Sequence, residues 1–200
     1  TQDIAIGDVD GDGDLDIVSA NLGIGIGKGE QNCLYLNDGK GNYSDATAQC
    51  IPPWNDHSYQ GLLVDFDGDG DLDLFFANNG EQNRLYINDG KGKFADATAK
   101  QLPKSEELNT CALAGDFDGD GDVDIITICY NTPGPNRLLL NDGKGTFTLA
   151  GDDLLPPDAD RRDYDCAAGD LDGDGDLDLV YAGMGTVSRI YLNDGKAHFT

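Results

Sequence analysis

The chain has 200 residues, 38% of them hydrophobic, and 38 acidic side chains against 13 basic ones give a formal net charge of −25. This length allows one domain or one block of a repeat array, and the charge excludes nucleic acid and anionic lipid surfaces as partners. No apolar run approaches the roughly 18 to 20 residues of a membrane span, and no basic, apolar leader opens the sequence. We therefore expect a soluble chain, mature or excised from a longer one, with no membrane insertion.

Two short motifs recur in the same order four times. The first is Asp-x-Asp-Gly-Asp-Gly-Asp-x-Asp, and we number its copies Asp loops I to IV: Asp8 to Asp16, Asp65 to Asp73, Asp116 to Asp124 and Asp170 to Asp178. The second, the turn motif Asn-Asp-Gly-Lys, follows each loop and begins at Asn37, Asn88, Asn141 and Asn193. Because both recur at intervals of roughly fifty residues, they indicate one structural unit repeated four times.

Each unit is predicted to hold four short strands. A first strand, such as Asp3 to Gly7, enters the Asp loop, and a second leaves it through residues such as Leu15 to Val18. The third is rich in apolar and aromatic residues and ends in the turn motif, whose Asp-Gly pair tolerates the positive φ of a tight hairpin. The fourth contains an aromatic residue: Tyr43, Phe94, Phe147 or Phe199.

A unit of this length and pattern is typical of a propeller blade. We predict an all-β protein, a β-propeller built of four four-stranded antiparallel blades, each with its Asp loop between the first and second strands. The predicted blades cover approximately residues 1–49, 57–100, 108–150 and 163–200 of a single repeat domain.

The Asp loops are candidate metal sites. Two carboxylates 4 Å apart repel by about 1 kcal/mol in water and about 4 kcal/mol at an effective dielectric of 20, so five in nine positions need a cation. The spacing matches the start of an EF-hand loop, with side-chain oxygens at positions 1, 3, 5 and 9 and a backbone carbonyl at position 7. An all-oxygen donor set favours calcium over zinc, copper or magnesium; the alternative is a solvated acidic turn.

We therefore predict about four calcium ions, one per loop. The four loops also account for twenty of the 38 acidic residues. The predicted calcium-binding residues are Asp8, Asp10, Asp12, Asp14 and Asp16; Asp65, Asp67, Asp69, Asp71 and Asp73; Asp116, Asp118, Asp120, Asp122 and Asp124; and Asp170, Asp172, Asp174, Asp176 and Asp178.

These loops and turns resemble the FG-GAP or VCBS calcium-binding repeats of integrin α-subunit propellers, cartilage acidic protein relatives and many secreted bacterial proteins. The style of Leu34-Tyr35-Leu36 before the turn motif is most similar to the cartilage acidic protein branch. The resemblance implies a secreted or cell-surface calcium-binding propeller. The literal Phe-Gly dipeptide and Gly-Ala-Pro tripeptide are absent, so integrin-type ligand binding is not carried over.

Such families usually close with about seven blades. Four units leave three arrangements open: a closed four-blade ring, a segment of a larger propeller, or a partial ring completed by another chain. Two functions follow from these arrangements. The first is a structural and binding module for adhesion or for glycan or protein recognition; the alternative is a self-assembling subunit of an extracellular fibre. A third reading is an accessory domain of a secreted enzyme.

Residues on the variable loops opposite the Asp loops are the candidates for partner binding, because aromatic and Arg side chains suit sugar or protein recognition. Trp54 and Tyr59 have a competing interpretation, which is that they fill gaps between neighbouring blades. The candidates are Trp54, His57, Tyr59, Tyr130, Arg161, Arg162 and Tyr164. Asn42-Tyr43-Ser44 is an Asn-x-Ser/Thr sequon, so Asn42 is a candidate glycosylation site in a secretory host.

The five cysteines fit no zinc pattern. Cys111 and Cys129 are equidistant from Asp loop III, so an unbroken hairpin would place them opposite each other and allow a disulfide. Two buried thiols are the alternative. We expect no enzyme activity, because the sequence has no Gly-x-Ser-x-Gly, His-Glu-x-x-His or phosphate-binding glycine loop and the loop carboxylates are assigned to metal.

Overall fold

The computed structural model describes residues 1–23, 29–130, 136–151, 155 and 163–200. The chain forms four antiparallel sheets in succession, each a meander of neighbouring strands. Sheet I contains β1 (Asp3–Gly7), β2 (Asp16–Ala20), β4 (Cys33–Asn37) and β5 (Tyr43–Asp45); sheet II contains β7 (Ser58–Val64), β8 (Asp73–Asn78), β9 (Arg84–Asn88) and β10 (Phe94–Asp96). Sheet III contains β11 (Asn109–Gly115), β12 (Asp124–Cys129), β13 (Arg137–Asn141) and β14 (Phe147–Leu149); sheet IV contains β15 (Asp163–Gly169), β16 (Asp178–Gly183) and β17 (Arg189–Tyr191).

The prediction of an all-β, antiparallel protein with an Asp loop between the first and second strands of each sheet is confirmed. Sheet IV differs from the prediction, because it has three strands. At the expected place of its fourth strand there is a single bridge between Asn193 and Phe199, supported by the backbone pair Leu192 and Thr200.

Three smaller elements connect sheets I, II and III. β3 (Glu30–Gln31) pairs with β6 (Asn55–Asp56) as a two-stranded ribbon, and helices α1 (Thr47–Cys50) and α2 (Thr98–Gln101) follow the last strands of sheets I and II. Each helix begins after an Asp whose carboxylate accepts the backbone N–H of the first helical Thr, Asp45 to Thr47 and Asp96 to Thr98, both at 2.9 Å. No helix in the described residues is long and apolar enough to cross a membrane.

The core lies between consecutive sheets. One apolar cluster joins sheets I and II, a second joins II and III, and a third joins III and IV. All residues of β8 and β12 are buried, and neighbouring Phe75 and Phe76 are both fully buried although successive strand side chains point to opposite faces. The sheets are therefore stacked face to face in the order I, II, III, IV, with sheets II and III covered on both faces.

The first strands of consecutive sheets are tethered at equivalent repeat positions. The residue five places before one Asp loop contacts the residue four places before the next. The Asp3 carboxylate accepts the Gly61 N–H at 3.2 Å, and the Gln60 side-chain oxygen accepts the Ala112 N–H at 2.6 Å. The third pair is a disulfide between Cys111 and Cys166, whose Cα atoms are 6.6 Å apart.

The disulfide corrects the predicted pairing of Cys111 with Cys129. A β-bulge lies between Asn109 and Cys111, so Cys111 pairs with Ile128 in the ladder, and Cys129 pairs with Asn109. The one-residue shift moves the Cys111 side chain to the face that looks toward sheet IV. The Cys129 sulfur instead lies 3.4 Å from the Asn109 side-chain oxygen.

Candidate metal centres

Each Asp loop is folded by its own carboxylates. In loop I, the Asp8 carboxylate at position 1 accepts the backbone N–H groups of Gly11 at 2.8 Å and Gly13 at 2.9 Å. Both glycines have positive φ, of 74° and 93°, a conformation that L side chains rarely adopt. Loops II, III and IV repeat this pair of hydrogen bonds. The glycines of the motif therefore let the chain wrap around its first carboxylate.

The last Asp of each loop is a buried anchor. Asp16 is fully buried and accepts the N–H of Val9 at 3.0 Å and the N–H of Asn37, the first residue of the turn motif, at 2.9 Å. Asp73, Asp124 and Asp178 make the equivalent pairs. One side chain thus fixes both the start of the Asp loop and the end of the third strand.

Carboxylates at positions 1, 3 and 9 meet in every loop. In each triad one ligand atom from each residue lies within 4.8 Å of the others. The four triads are Asp8, Asp10 and Asp16; Asp65, Asp67 and Asp73; Asp116, Asp118 and Asp124; and Asp170, Asp172 and Asp178. Three converging carboxylates form an all-oxygen donor set of the kind hard cations prefer, so these residues fit a calcium ion.

The other two acidic positions are placed differently. At position 5, Asp12 accepts the N–H of Asp14 at 2.9 Å and lies outside the triad, as do Asp69, Asp120 and Asp174. At position 7, the Asp14 carboxylate lies against Gly39 of the turn motif, where any Cβ would collide with it; Asp71, Asp122 and Asp176 meet Gly90, Gly143 and Gly195 in the same way. The position-7 side chains therefore pack on the turn, and their backbone carbonyls remain the predicted ligand.

Burial makes the anchors of loops II and III costly to ionise. Desolvation raises the pKa of Asp73 and of Asp124 to about 6, against hydrogen bonds from backbone N–H groups that favour the ionised form. Neighbouring loop carboxylates raise these pKa values further. A bound cation would reverse this penalty, because it favours the charged form of every ligand around it.

The Asn of the turn motif joins one loop to the next, a role that the sequence analysis missed. Asn88 donates through Nδ2 to the Leu72 carbonyl of its own loop at 3.0 Å and to the Val9 carbonyl of the preceding loop at 2.8 Å. Asn141 and Asn193 make the same pair of bonds, with the bond to the preceding loop at Phe66 and Phe117. The fourfold recurrence of this Asn was the available signal, but hairpin chemistry alone explained it.

Trp54 contacts two strands of sheet II, and His57 contacts the connection between β8 and β9. Trp54 donates from Nε1 to Asp96 at 2.9 Å, and the Arg84 guanidinium lies 4.1 Å from its ring centroid. His57 Nδ1 lies 3.0 Å from a Glu81 carboxylate oxygen. Trp54 therefore attaches the segment between sheets I and II to sheet II, and 46% of its surface remains exposed.

The remaining candidates are dispersed. Tyr130 and Tyr164 pack edge to face with ring centroids 6.0 Å apart, and Tyr59 is half-buried at a bulge in β7. Arg161 and Arg162 lie outside the described residues. Asn42 is exposed in the first turn, where its side chain donates to Asp38 at 2.9 Å.

A groove of about 440 Å³ lies beside Trp54. It is lined by Trp54, Gln82, Arg84, Asp96, Lys100 and Lys104, among others. The Arg84 guanidinium forms an ion pair with the Asp56 carboxylate through hydrogen bonds of 2.7 and 3.0 Å. Lys100 and Lys104 are exposed. The groove thus combines an exposed indole with two lysines in a chain whose net charge is −25.

The fold and the four triads define an all-β repeat protein with one acidic candidate metal centre per repeat. The sequence matches the FG-GAP-like repeat family over three overlapping stretches, residues 8–75, 65–127 and 116–181. The chain therefore belongs to the FG-GAP-like repeat family, which confirms the resemblance inferred from its Asp loops and turns.

Curated relatives include cartilage acidic protein 1 of Xenopus tropicalis and of Homo sapiens, each 30% identical over 158 residues. These alignments cover 74% of this chain and 24% of each relative, so the chain spans about a quarter of their length. Among solved structures, the V. cholerae biofilm matrix protein Bap1 is similar over 98% of this chain and 38% of its own, at 16% identity and a TM-score of 0.46.

Proposed function

We propose that this chain is a calcium-dependent structural and binding module of a secreted or cell-surface protein, in which each sheet and its Asp loop form one blade of a β-propeller. The observation that carries the proposal is the convergence of three carboxylates in every repeat. Membership of the FG-GAP-like family and the similarity to cartilage acidic protein 1 support it. The proposed role is non-catalytic, because the clustered carboxylates serve the metal.

Four calcium ions per chain are the expected stoichiometry. Isothermal titration of metal-free protein should give about four sites for calcium, with much weaker binding of magnesium, which demands a stricter octahedron. Asp118→Ala removes one triad member of loop III together with one hydrogen bond, from the Asp120 N–H at 3.2 Å, and should reduce the count to about three.

Glu106→Ala provides the matched control, because Glu106 is an exposed acid outside the loops. It should leave the count unchanged. A wild-type chain that binds no calcium at millimolar concentration would show that the loops are solvated acidic turns.

The groove beside Trp54 is the proposed partner site, and an acidic glycan is the ligand class that its chemistry fits best. Sugar rings stack on exposed indoles, and Lys100 and Lys104 can donate charge-assisted hydrogen bonds to a sugar carboxylate. The Trp54 ring is held in place by Asp96 and Arg84, so little side-chain entropy is lost on binding. A protein ligand with an acidic surface is the alternative occupant.

Binding should be visible in the fluorescence of Trp54, the single tryptophan of the chain. A glucuronate-containing oligosaccharide is expected to change the emission, and a neutral gluco-oligosaccharide to change it much less. Lys100→Glu or Lys104→Glu should weaken binding by about 1.5 kcal/mol or more, roughly tenfold. Lys91→Glu, an equally exposed lysine in a turn motif, is the control and should bind normally. Equal responses to both oligosaccharides would contradict the proposed charge recognition.

A further inference from the structure

One wall of the groove beside Trp54 is a single stretch of chain, residues 98–104, which begins with helix α2. The residues of this groove segment that line the groove are Thr98, Ala99, Lys100, Leu102 and Lys104. Both lysines proposed to contact the acidic glycan lie on the segment, so its position decides where their charges stand. Because a helix of four residues is not stable in isolation, contacts outside the helix must hold this wall.

The groove segment is tied at both ends to residues of its own unit. At the start, the Leu85 N–H donates to Thr98 Oγ1 at 3.1 Å. At the far end, the Gln82 side chain donates to the Pro103 carbonyl at 3.1 Å and accepts the Ser105 N–H at 3.0 Å. The middle of the segment has a different support.

The middle of the groove segment is tied to the next unit. Gln101, which follows Lys100, donates through Nε2 to the Lys144 carbonyl at 3.1 Å. Lys144 ends the third turn motif, residues 141–144, so this bond joins the groove wall to the unit of sheet III. Cys50 ends helix α1 as Gln101 ends α2, and among the described residues it has no such bond to the turn motif that follows it.

The third turn motif also packs on Asp loop II. Its Asn141 donates to the Phe66 carbonyl at 2.8 Å. A Cβ on Gly145, the next residue after the motif, would lie 3.1 Å from Gln101 Nε2 and 3.4 Å from the Cβ of Asp67. Asp67 is the position-3 member of the triad of loop II. The backbone at Gly145 therefore lies between a triad residue and the residue that holds the groove wall.

We propose that the groove beside Trp54 binds its ligand more tightly when loop II holds calcium, and that Gln101 transmits the effect. A cation between the triad carboxylates removes their mutual repulsion, so loop II presents a fixed surface to the third turn motif. The turn then fixes Gln101, and Gln101 fixes the neighbouring Lys100. This inference rests on both parts of the proposed function, the metal centres and the glycan groove. Because coupling between two binding sites is reciprocal, the ligand should raise the calcium affinity of loop II by the same factor.

The first test is the affinity for the glucuronate-containing oligosaccharide at saturating calcium, followed by Trp54 fluorescence, with circular dichroism to confirm folding. Asp67→Ala removes a carboxylate from the triad of loop II but keeps the Cβ that Gly145 contacts, and it should weaken oligosaccharide binding about fivefold. Asp172→Ala is the matched comparison, because it removes the position-3 carboxylate of loop IV. Among the described residues no hydrogen bond joins loop IV to the third turn motif, so the oligosaccharide affinity should stay within about twofold of wild type.

Gln101→Ala tests the route. Gln101 neither lines the groove nor belongs to a triad, and the substitution removes the bond from the groove segment to the turn. One hydrogen bond corresponds to roughly a twofold to tenfold change in affinity, so oligosaccharide binding should weaken by that factor. The oligosaccharide should then no longer raise calcium affinity. Adding Asp67→Ala to Gln101→Ala should cost little further oligosaccharide affinity, since the two act through one path.

Hydrogen exchange provides a readout that needs no oligosaccharide. The Gln101 N–H donates to the Ala97 carbonyl at 3.0 Å, and it should exchange faster in Asp67→Ala than in Asp172→Ala. Equal exchange and equal oligosaccharide affinity in these two variants would overturn the coupling and leave the proposed function standing. A wild-type chain that binds no calcium would overturn the metal centres and this inference together. If wild type binds calcium but not the oligosaccharide, the proposed ligand is wrong, and the exchange rates still decide whether loop II controls the groove wall.

Discussion

Removal of calcium is expected to unfold the chain or to lower its melting temperature by tens of degrees. Each ion present at a hundredfold excess over its dissociation constant stabilises the folded state by about 2.7 kcal/mol, so the added effect of four ions would be on the order of 11 kcal/mol. This is comparable with the roughly 5 to 15 kcal/mol that separates most native domains from their unfolded states. Chelation also leaves three carboxylates of each triad facing one another without a counter-ion.

Thermal melts followed by far-UV circular dichroism, with millimolar calcium and then with a chelator, would measure this effect. Asp124→Ala tests the two roles of a buried anchor, which are to accept backbone hydrogen bonds and to belong to a metal triad. It leaves the N–H groups of Phe117 and Asn141 without their acceptor, at about 1 to 3 kcal/mol each, so it should lower stability even in chelator. Asp118→Ala should act mainly when calcium is present. Melting that is the same with and without chelator would contradict a metal-stabilised scaffold.

Loss of the disulfide between Cys111 and Cys166 is the second large expected effect. The bridge closes a loop with a sequence separation of 55, for which chain entropy alone predicts a stabilisation of about 4 kcal/mol. It also replaces, at the junction of sheets III and IV, the hydrogen bonds that tether first strands at the other two junctions. The double variant Cys111→Ser with Cys166→Ser should therefore melt well below wild type, with sheet IV losing its order first.

Reductant and a third cysteine provide the controls. Dithiothreitol should lower the melting temperature of wild type and leave that of the double variant unchanged. Cys33→Ser should behave like wild type, because the Cys33 sulfur contacts the Gln31 carbonyl and a hydroxyl can do the same. If dithiothreitol lowers the double variant as much as wild type, the reductant acts elsewhere.

Because the motifs recur four times, the sheets and the Asp loops could be predicted from the sequence. An Asp loop needs glycines at fixed positions and a turn motif needs Asp-Gly. Both features therefore have local sequence patterns, and chance does not produce such patterns four times. The side chains at positions 1, 3 and 9, which the motif predicts as ligands, lie together in the triads. The position-5 carboxylate lies outside the triad and accepts a backbone N–H of its own loop, as Asp12 does for Asp14, so its role as a ligand stays a prediction.

The features that the sequence did not reveal depend on contacts between units. The predicted pairing of Cys111 with Cys129 was wrong because a single bulge before Cys111 places its sulfur on the other face of the sheet. Helices α1 and α2 have four residues each, too few for an amphipathic period to show. The ion pairs of Arg84 with Asp56 and of Arg189 with Asp163 join residues that are 28 and 26 positions apart, and no local sequence pattern predicts them.

The bond from each turn-motif Asn to the preceding loop gives the four centres unequal surroundings. Loops I, II and III each accept one hydrogen bond from the turn motif of the following unit, donated by Asn88, Asn141 and Asn193 respectively. Among the described residues loop IV receives no such bond, and its triad is the most exposed. Since Asn88 is also fixed by Asp73 of its own loop, ordering one loop helps to order the loop before it. Ion uptake should thus be cooperative, with calcium binding at one loop raising the affinity of the loop before it.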